Sequence, residues 1–435
     1  MINLDGVNEK AVVAWLSRSQ AVGARLADAA KTSLYRIVSD EASETARRFD
    51  VAVVDLRGAE HVGAPASDLL TRARRLSPSA GIIILANADI DAKTRRRLRR
   101  RGEVCFVGQD ATPVIAAIRE RLRLSKLVDE MGERVKSLVA DGRPVSFSAL
   151  QHDKPSLSVL VAGAPSPLTL TAFNAVQTTS AQATCVFTAG QVMRALDHGK
   201  FDGAVFLPAD EGDLLFALAR ALRRHREYRN IPVVLAAEEA DLLDRFLIRD
   251  GFDVIQASHI EADLSDRIDF AARRARMASA VRAFLRSPDG VAGGKEGAAS
   301  ARFFALHATR LFRRADDAGE AISFAAFQLR SDNSDAAISE AIRTASRILR
   351  AEDMIARLAQ GSLVVMLRGA REHEARRIAE RLEGVIGGSL PRSMLAGATI
   401  AAGAVQRHPG DDLEETIAAL FRSLRSGASA NSLAG

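Results

Sequence analysis

Arg350 and Asp353 stand three residues apart in the run Arg350-Ala351-Glu352-Asp353. A guanidinium donates two parallel hydrogen bonds to a guanine O6/N7 edge or clamps a phosphate, and a carboxylate accepts from the guanine N1 and N2 hydrogens. Downstream, Arg377 and Arg381 lie at i and i+4 and therefore share one helix face. By itself an Arg-x-x-Asp is a common combination, and a solvated ion pair at a helix end also explains it.

Other chemistries are poorly supplied. Cys105 and Cys185 are the only cysteines; they are distant in sequence and each sits in an apolar strand-like run, so they read as small core residues rather than as a disulfide or metal pair. The 8 His form no His-x-x-x-His pair and no cluster with carboxylates, so no metal and no cofactor is expected. Gly293-Gly294-Lys295 lacks the preceding strand, the glycine spacing and the Ser or Thr of a phosphate loop. The basic run Lys93 to Arg101 has no interleaved aromatics and reads as a protein-facing or solvated surface rather than a DNA contact. Leu215, Leu218 and Leu222 read as helix core, and His225 and His373 as surface residues.

The elements that must position these residues follow from pattern. At 435 residues the chain is long enough for about three domains. Its 47% hydrophobic and 26% charged residues are those of a folded globular protein, and its net charge of +6 is modest. No apolar run reaches the ~20 residues of a bilayer span and the start lacks a signal-peptide pattern, so a cytoplasmic protein is expected. Apolar runs at Val12–Trp15, Tyr35–Val38, Val51–Val54, Ile82–Leu85 and Val104–Val107 alternate with helical periodicity near 19–31 and from about 112 to 140. The order repeats at Val159–Val161, Thr184–Phe187, Ala204–Leu207, Val233–Leu235 and Asp253–Ile255, closing in a helix near 262–285. Short apolar strands between helices predict a parallel sheet covered on both faces, here in duplicate. A short linker is expected at 142–154, and the composition of 287–300 predicts a flexible connection. The segment 301–427 reads as a third, mixed unit: helices at 301–315, 335–350, 371–386 and 411–426, strands at 321–329 and 395–405, and a hairpin-like pair at 354–358 and 362–367. Residues 428–435 read as a frayed tail.

This order resembles the receiver–receiver–GGDEF proteins of the PleD family of bacterial response regulators, whose GGDEF module is a diguanylate cyclase. The resemblance implies an α/β chain with two tandem flavodoxin-like (βα)5 receiver-like domains, 1–141 and 155–286, and a C-terminal α/β GGDEF-like domain, 301–427, after the 287–300 linker. In a receiver, an acidic pair holds magnesium, a strand-end Asp takes the phosphoryl group and a Lys neutralises it. The first domain places Asp55 at the acceptor position, but Leu16 and Ser17 replace the acidic pair and Gln109 replaces the Lys; Asp55 is either a strand-end turn residue or a possible phosphoacceptor. In the second domain Leu207 and Ser258 occupy the acceptor and Lys positions, which excludes phosphorylation there.

The GGDEF-like domain departs from its family in the same way. The signature hairpin reads Arg357-Leu358-Ala359-Gln360-Gly361-Ser362-Leu363 without an acid, Gln328 stands at the first-strand metal position, and Leu424 replaces a phosphate-contacting Lys. Two-metal phosphoryl transfer has no ligands here, so no enzymatic activity is expected. Arg350-x-x-Asp353, nine residues before the hairpin, has the spacing of the family's inhibitory cyclic di-GMP site, with Arg377 and Arg381 at the secondary contacts. The resemblance thus implies a cyclic di-GMP effector that dimerises through its receiver-like domains and is recruited to a cell pole. It also implies the adaptor RcdA, the regulator CtrA and the ClpXP protease as partners. The rival reading is a phosphorylation-dependent scaffold that uses Asp55 and binds no nucleotide.

Overall fold

The computed structural model describes residues 11–17, 35–38, 49–57, 64–76, 80–86, 90–106, 112–147, 156–178, 181–210, 212–225, 227–238, 252–292, 295–330, 334–358, 362–390 and 399–431. These form two compact units, one of residues 10–125 and 152–279, the other containing residues 126–151 and 280–435.

The first unit holds two parallel sheets. β1 (Ala11–Ser17), β2 (Tyr35–Val38), β3 (Val51–Asp55), β4 (Gly81–Ala86) and β5 (Glu103–Phe106) pair in the order β2-β1-β3-β4-β5. β6 (Ser158–Gly163), β7 (Gln182–Val186), β8 (Gly203–Leu207), β9 (Val233–Ala237) and β10 (Asp253–Gln256) repeat that order as β7-β6-β8-β9-β10. Both are the doubly wound, flavodoxin-like arrangement. The helices described with them are α1 (Ala64–Leu76), α2 (Ala92–Arg99), α3 (Thr112–Ala140), α4 (Pro167–Gln177), α5 (Ala189–His198), α6 (Leu214–Arg224) and α7 (Ser265–Arg286). The helix expected near 19–31 lies outside the described residues.

Alternation explains why these strands are buried on both faces. Leu160, Ala162, Ala204, Phe206 and Leu235 pack to one side with Leu215, Leu222 and the partly buried Leu218 of α6, while Val159, Val161, Val205 and Val234 pack to the other with Ile260, Leu264 and Ile268. Ala14, Leu16, Ala52 and Val54 separate from Val13, Trp15, Val51 and Val53 in the same way in the first sheet. Cys185 departs from the expected core position: it is half-buried because β7 is an edge strand. On α2, Leu98 is buried while Lys93 and Arg97 are exposed, as is Arg100 just beyond its end. Within this unit Arg274 of α7 pairs with Glu103 (2.6 Å) and with Glu120 of α3, and Arg121 both pairs with Glu103 (2.9 Å) and lies 4.8 Å over the Phe270 ring.

The second unit is built on an antiparallel sheet, β12-β13-β11-β14, formed by β11 (Ile322–Arg330), β12 (Met354–Arg357), β13 (Ser362–Arg368) and β14 (Thr399–Gln406). Around it run α8 (Ala301–Ala318), α9 (Ser334–Ile348), α10 (Glu372–Ser389) and α11 (Leu413–Asn431). Ala325, Phe327, Ile355, Leu363 and Val365 pack with α9 and α10 through Ile338, Ile342, Leu382 and Ile386, whereas Phe324 meets Phe304 and Phe312 of α8 edge-on.

Three boundaries differ from the sequence reading. Residues 126–140 of α3, expected to close the first parallel domain, belong to the second unit, because a polar face of that segment pairs within it. The described residues of 287–300 are no free connection: Val291, Ala292, Ala298 and Ala299 are buried, and Ala299 N donates to Ile355 O at 2.7 Å. The alanines among them pack closely rather than loosening the chain. Residues 428–431, expected in the tail, continue α11, and 432–435 lie outside the described residues. Among the described residues no helix is long and apolar enough to cross a membrane.

The packed connector yields a test. Ser287 Oγ donates to Phe284 O and accepts from Gly290 N, bringing Gly290 so close that an added Cβ would lie 2.1 Å from Phe284 O. Gly290→Ala is expected to destabilise the chain by about 1–3 kcal/mol through overpacking, read as a lowered urea midpoint with an unchanged slope.

Candidate functional site

The loop 350–353 is short because apolar anchors close on either side of it. α9 ends at Ile348, Leu349 and Met354 are buried, and β12 begins at Met354. Within the loop, Asp353 Oδ2 accepts a hydrogen bond from the Arg350 backbone N–H at 2.9 Å, which fixes the turn locally. The Arg350 guanidinium is exposed and makes no hydrogen bond or ion pair among the described residues. Asp353 is half-buried, and burial pushes its carboxyl up to about 7; Glu352 and Glu130 add to the rise, and the Arg350 N–H and charge oppose it.

Beneath the loop lies a group that the sequence reading missed. Arg134, on the 126–140 part of α3, is 1% exposed. Its Nη2 donates to the carbonyls of Ala351, Glu352 and Asp353 at 3.3, 3.4 and 3.3 Å, and its Nη1 to Leu285 O at 2.7 Å. Arg286 Nη2 holds the carbonyl of Leu349, just before the loop, at 3.2 Å. Arg134 Nε pairs with Glu130 at 2.7 Å, and the same carboxylate meets His307 Nε2 at 3.1 Å and Arg368 at 3.3 Å. His307 Nδ1 lies 3.0 Å from the Ser137 hydroxyl. Burial alone would raise Glu130, but Arg134, His307 and Arg368 hold it well below the usual carboxylate range. One turn on, Glu133 is held down to about 2: burial opposes ionisation, and hydrogen bonds from Lys136 and Arg310 together with the charges of Lys136 and Arg314 outweigh it. In sequence, Glu130 and Arg134 form an i,i+4 pair of the kind found on solvated helix faces.

The arginines of α10 occupy the neighbouring helix. β11 and β13 are antiparallel, so the helices following them, α9 and α10, run in opposite directions, and the Thr344 and Ser389 hydroxyls, 3.1 Å apart, set their register. From that contact α9 runs on toward Arg350 and α10 runs back toward Arg381 and Arg377, so the three arginines lie to the same side of it. The Arg377 and Arg381 side chains are exposed, without a hydrogen bond or ion pair among the described residues.

At the opposite end of the hairpin, the positions in register with Gln328 are neutral. Gln328 pairs in register with Ser362 and Ala401, Ser362 is buried, and Leu358 N donates to Ser362 O at 2.9 Å. Ala359, Gln360 and Gly361 lie outside the described residues. The exposed Arg357 pairs with Asp335, and Leu424 is buried against Gly403. Among the described residues no group of three or more His, Cys, Asp or Glu side chains is placed to hold a metal ion.

In the first parallel sheet Asp55 is buried at the end of β3, beside Ser17 of β1 in the strand register. Both its oxygens are taken by Arg57: Nε to Oδ1 at 2.9 Å and Nη2 to Oδ2 at 2.8 Å, with the Arg57 N–H also on Oδ1 at 3.1 Å. Leu16 is buried, and Gln109 lies outside the described residues. In the second sheet Leu207 is buried and Ser258 exposed.

No protein-family profile matches the chain, and no curated protein matches it. Solved structures similar to it include GGDEF diguanylate cyclases. Diguanylate cyclase SiaD from Pseudomonas aeruginosa, in complex with its activator SiaC, is 16% identical with a TM-score of 0.28, over 31% of this chain and 56% of that one. The coiled coil and GGDEF domain of DgcB from Caulobacter crescentus, in complex with c-di-GMP, is 19% identical with a TM-score of 0.27, over 30% of this chain and 79% of that one. A DGC protein from Thermotoga maritima is 16% identical with a TM-score of 0.26, over 29% and 95%.

The Asp353 environment sets a pH dependence. Between the ordinary carboxyl value of 3.8 and about 7 the folded chain retains a proton that the unfolded chain has released, so this group's contribution to stability is full below that window and declines as pH rises through it. Asp353→Asn removes the titration. Its stability relative to the parent is expected to improve steadily from about pH 4 to about pH 7 in urea unfolding; a pH-independent difference counts against the raised value.

Proposed function

We propose that this chain binds cyclic di-GMP without making it, at the loop 350–353, and conveys the occupancy of that site to protein partners. The observation that carries the reading is the exposed Arg350 guanidinium, without a hydrogen bond or ion pair among the described residues, on a loop whose backbone is fixed from below. A guanidinium fork fits a guanine O6/N7 edge or a phosphate, and Asp353, with lone pairs beyond the one given to the Arg350 N–H, accepts from guanine N1 and N2. Arg377 and Arg381 supply further positive charge for the phosphates of a dinucleotide.

Synthesis of the nucleotide asks for metal-bound phosphates and a stabilised leaving group. Gln328, Ser362 and Leu424 offer neutral amide, hydroxyl and hydrocarbon where the resemblance expects ligands, so the reading is of a degenerate GGDEF domain and not of an enzyme. The two flavodoxin-like sheets fit receiver-like domains that serve as a homodimerisation and docking platform. Asp55 lends little to a phosphorylation-dependent scaffold: its oxygens would have to leave Arg57 before either could take a phosphoryl group. The architecture and its losses resemble the cell-cycle regulator PopA, and that resemblance alone supplies a cell-pole location and the partners RcdA, CtrA and ClpXP.

Calorimetry on the full chain tests the reading. Cyclic di-GMP is expected to give a saturable isotherm, and Arg350→Ala to weaken it by ~100-fold or more, as loss of a charge-assisted bidentate contact implies. GTP with magnesium is expected to yield no cyclic product. The absence of binding heat in the unaltered chain rejects nucleotide sensing, and product formation rejects the degenerate-domain reading.

A further inference from the structure

The guanidinium under the loop comes from outside the strand–helix succession that carries the arginines. Arg134 stands on residues 126–140 of α3, more than two hundred residues before the loop in sequence, and its Nη2 gathers three successive carbonyls, those of Ala351, Glu352 and Asp353. Three carbonyls converging on one donor fix the curvature of the backbone that presents Arg350 and Asp353. The donor is itself fixed: Glu130 takes its Nε, Leu285 O takes its Nη1, and His307 and Arg368 hold Glu130. The segment is seated along its length, because Arg368 reaches Asp129 at 2.6 Å and Arg310 and Arg314 reach Glu133 at 2.9 and 3.0 Å.

We propose that Arg134 is a positioning residue for the nucleotide site: the seating of residues 126–140 holds the loop in its ligand-ready shape, so cyclic di-GMP binding and that seating stabilise one another. This rests on the nucleotide-binding reading above. The reciprocity is a thermodynamic requirement, since whatever raises ligand affinity by seating the segment must itself be favoured by ligand. A lysine at 134 keeps a charge for Glu130 but has no planar fork with which to gather the carbonyls and pair with the carboxylate together.

Calorimetry with cyclic di-GMP, joined to hydrogen exchange, tests it on the full chain. Arg134→Lys, and the double variant Glu130→Gln with Arg134→Met, which leaves no orphaned charge if the first folds poorly, are each expected to raise Kd ~10-fold or more at unchanged stoichiometry. Both are also expected to speed exchange of the 351–354 amides. Arg407→Met breaks the Asp316 pair elsewhere in the same unit; it is expected to lower the melting temperature while leaving Kd within ~2-fold. In the unaltered chain cyclic di-GMP is expected to slow exchange across 126–140. Wild-type affinity in both Arg134 variants overturns the proposal while nucleotide binding stands. So does an Arg407→Met chain that loses affinity as they do, because the effect is then general destabilisation. Absence of binding by the unaltered chain overturns both readings.

Discussion

A guanidinium taken out of water has N–H donors to satisfy and a charge to neutralise, and in the second unit Arg134 is met on both counts by residues brought from several elements. Glu130 supplies the countercharge, Leu285 one carbonyl and the loop 351–353 three more. Removing one partner of such a buried pair typically costs about 3–5 kcal/mol, because the other is left charged and unmatched. The segment 126–140, the end of α7, helix α8 through His307, strand β13 through Arg368 and the turn before β12 therefore share one polar centre. An apolar residue of the same volume would pack there, but it would leave the loop carbonyls without donors.

The sheets were legible in sequence for a simple reason. Strands buried on both faces read as unbroken apolar runs, and Val159-Leu160-Val161 or Ile82-Ile83-Ile84-Leu85 can satisfy that requirement in few other ways. In the antiparallel unit, read from sequence only as mixed, the hairpin was legible through the short return between 357 and 362. The connector 287–300 was not, because glycine and alanine signal flexibility only when nothing lies close enough to use their smallness; Gly290 approaches Phe284 O, and Ala298 and Ala299 are buried. Arg134 was hidden for the opposite reason. Glu130 and Arg134 at i,i+4 are what a solvated helix face looks like, and only the tertiary contacts of α8 and β13 turn that face inward. The residues of the loop were singled out through the resemblance and its spacing, while the support of the loop, brought from a distant helix, carried no local signal.

Positions where the resemblance expects charge for phosphate chemistry hold side chains with other work. Leu424 packs against Gly403, and Ser362 closes the hairpin ladder. Asp55 keeps its carboxylate, but Arg57 two residues on takes both oxygens in a fork, doing with a permanent cation what a metal would do transiently. The fold persists through these replacements because its stability comes from apolar burial on both sheet faces rather than from the charges at the strand ends.

Asp353 shows how the fixed loop and the proposed ligand fit together energetically. Its carboxyl is half-buried, faces Glu352 and Glu130, and has the Arg350 N–H as its local donor, so ionisation is resisted. A guanine edge brings two further N–H donors to the oxygens and favours the ionised form. On the proposed reading, the loop holds a carboxyl with acceptor capacity beyond the Arg350 N–H that the ligand fills, and the differential contact needed to shift a conformational equilibrium lies in that carboxylate as much as in Arg350. On the same reading, the hydrogen bond from Arg134 to the Asp353 carbonyl and its pair with Glu130 are the contacts through which ligand at that carboxylate favours the seating of residues 126–140.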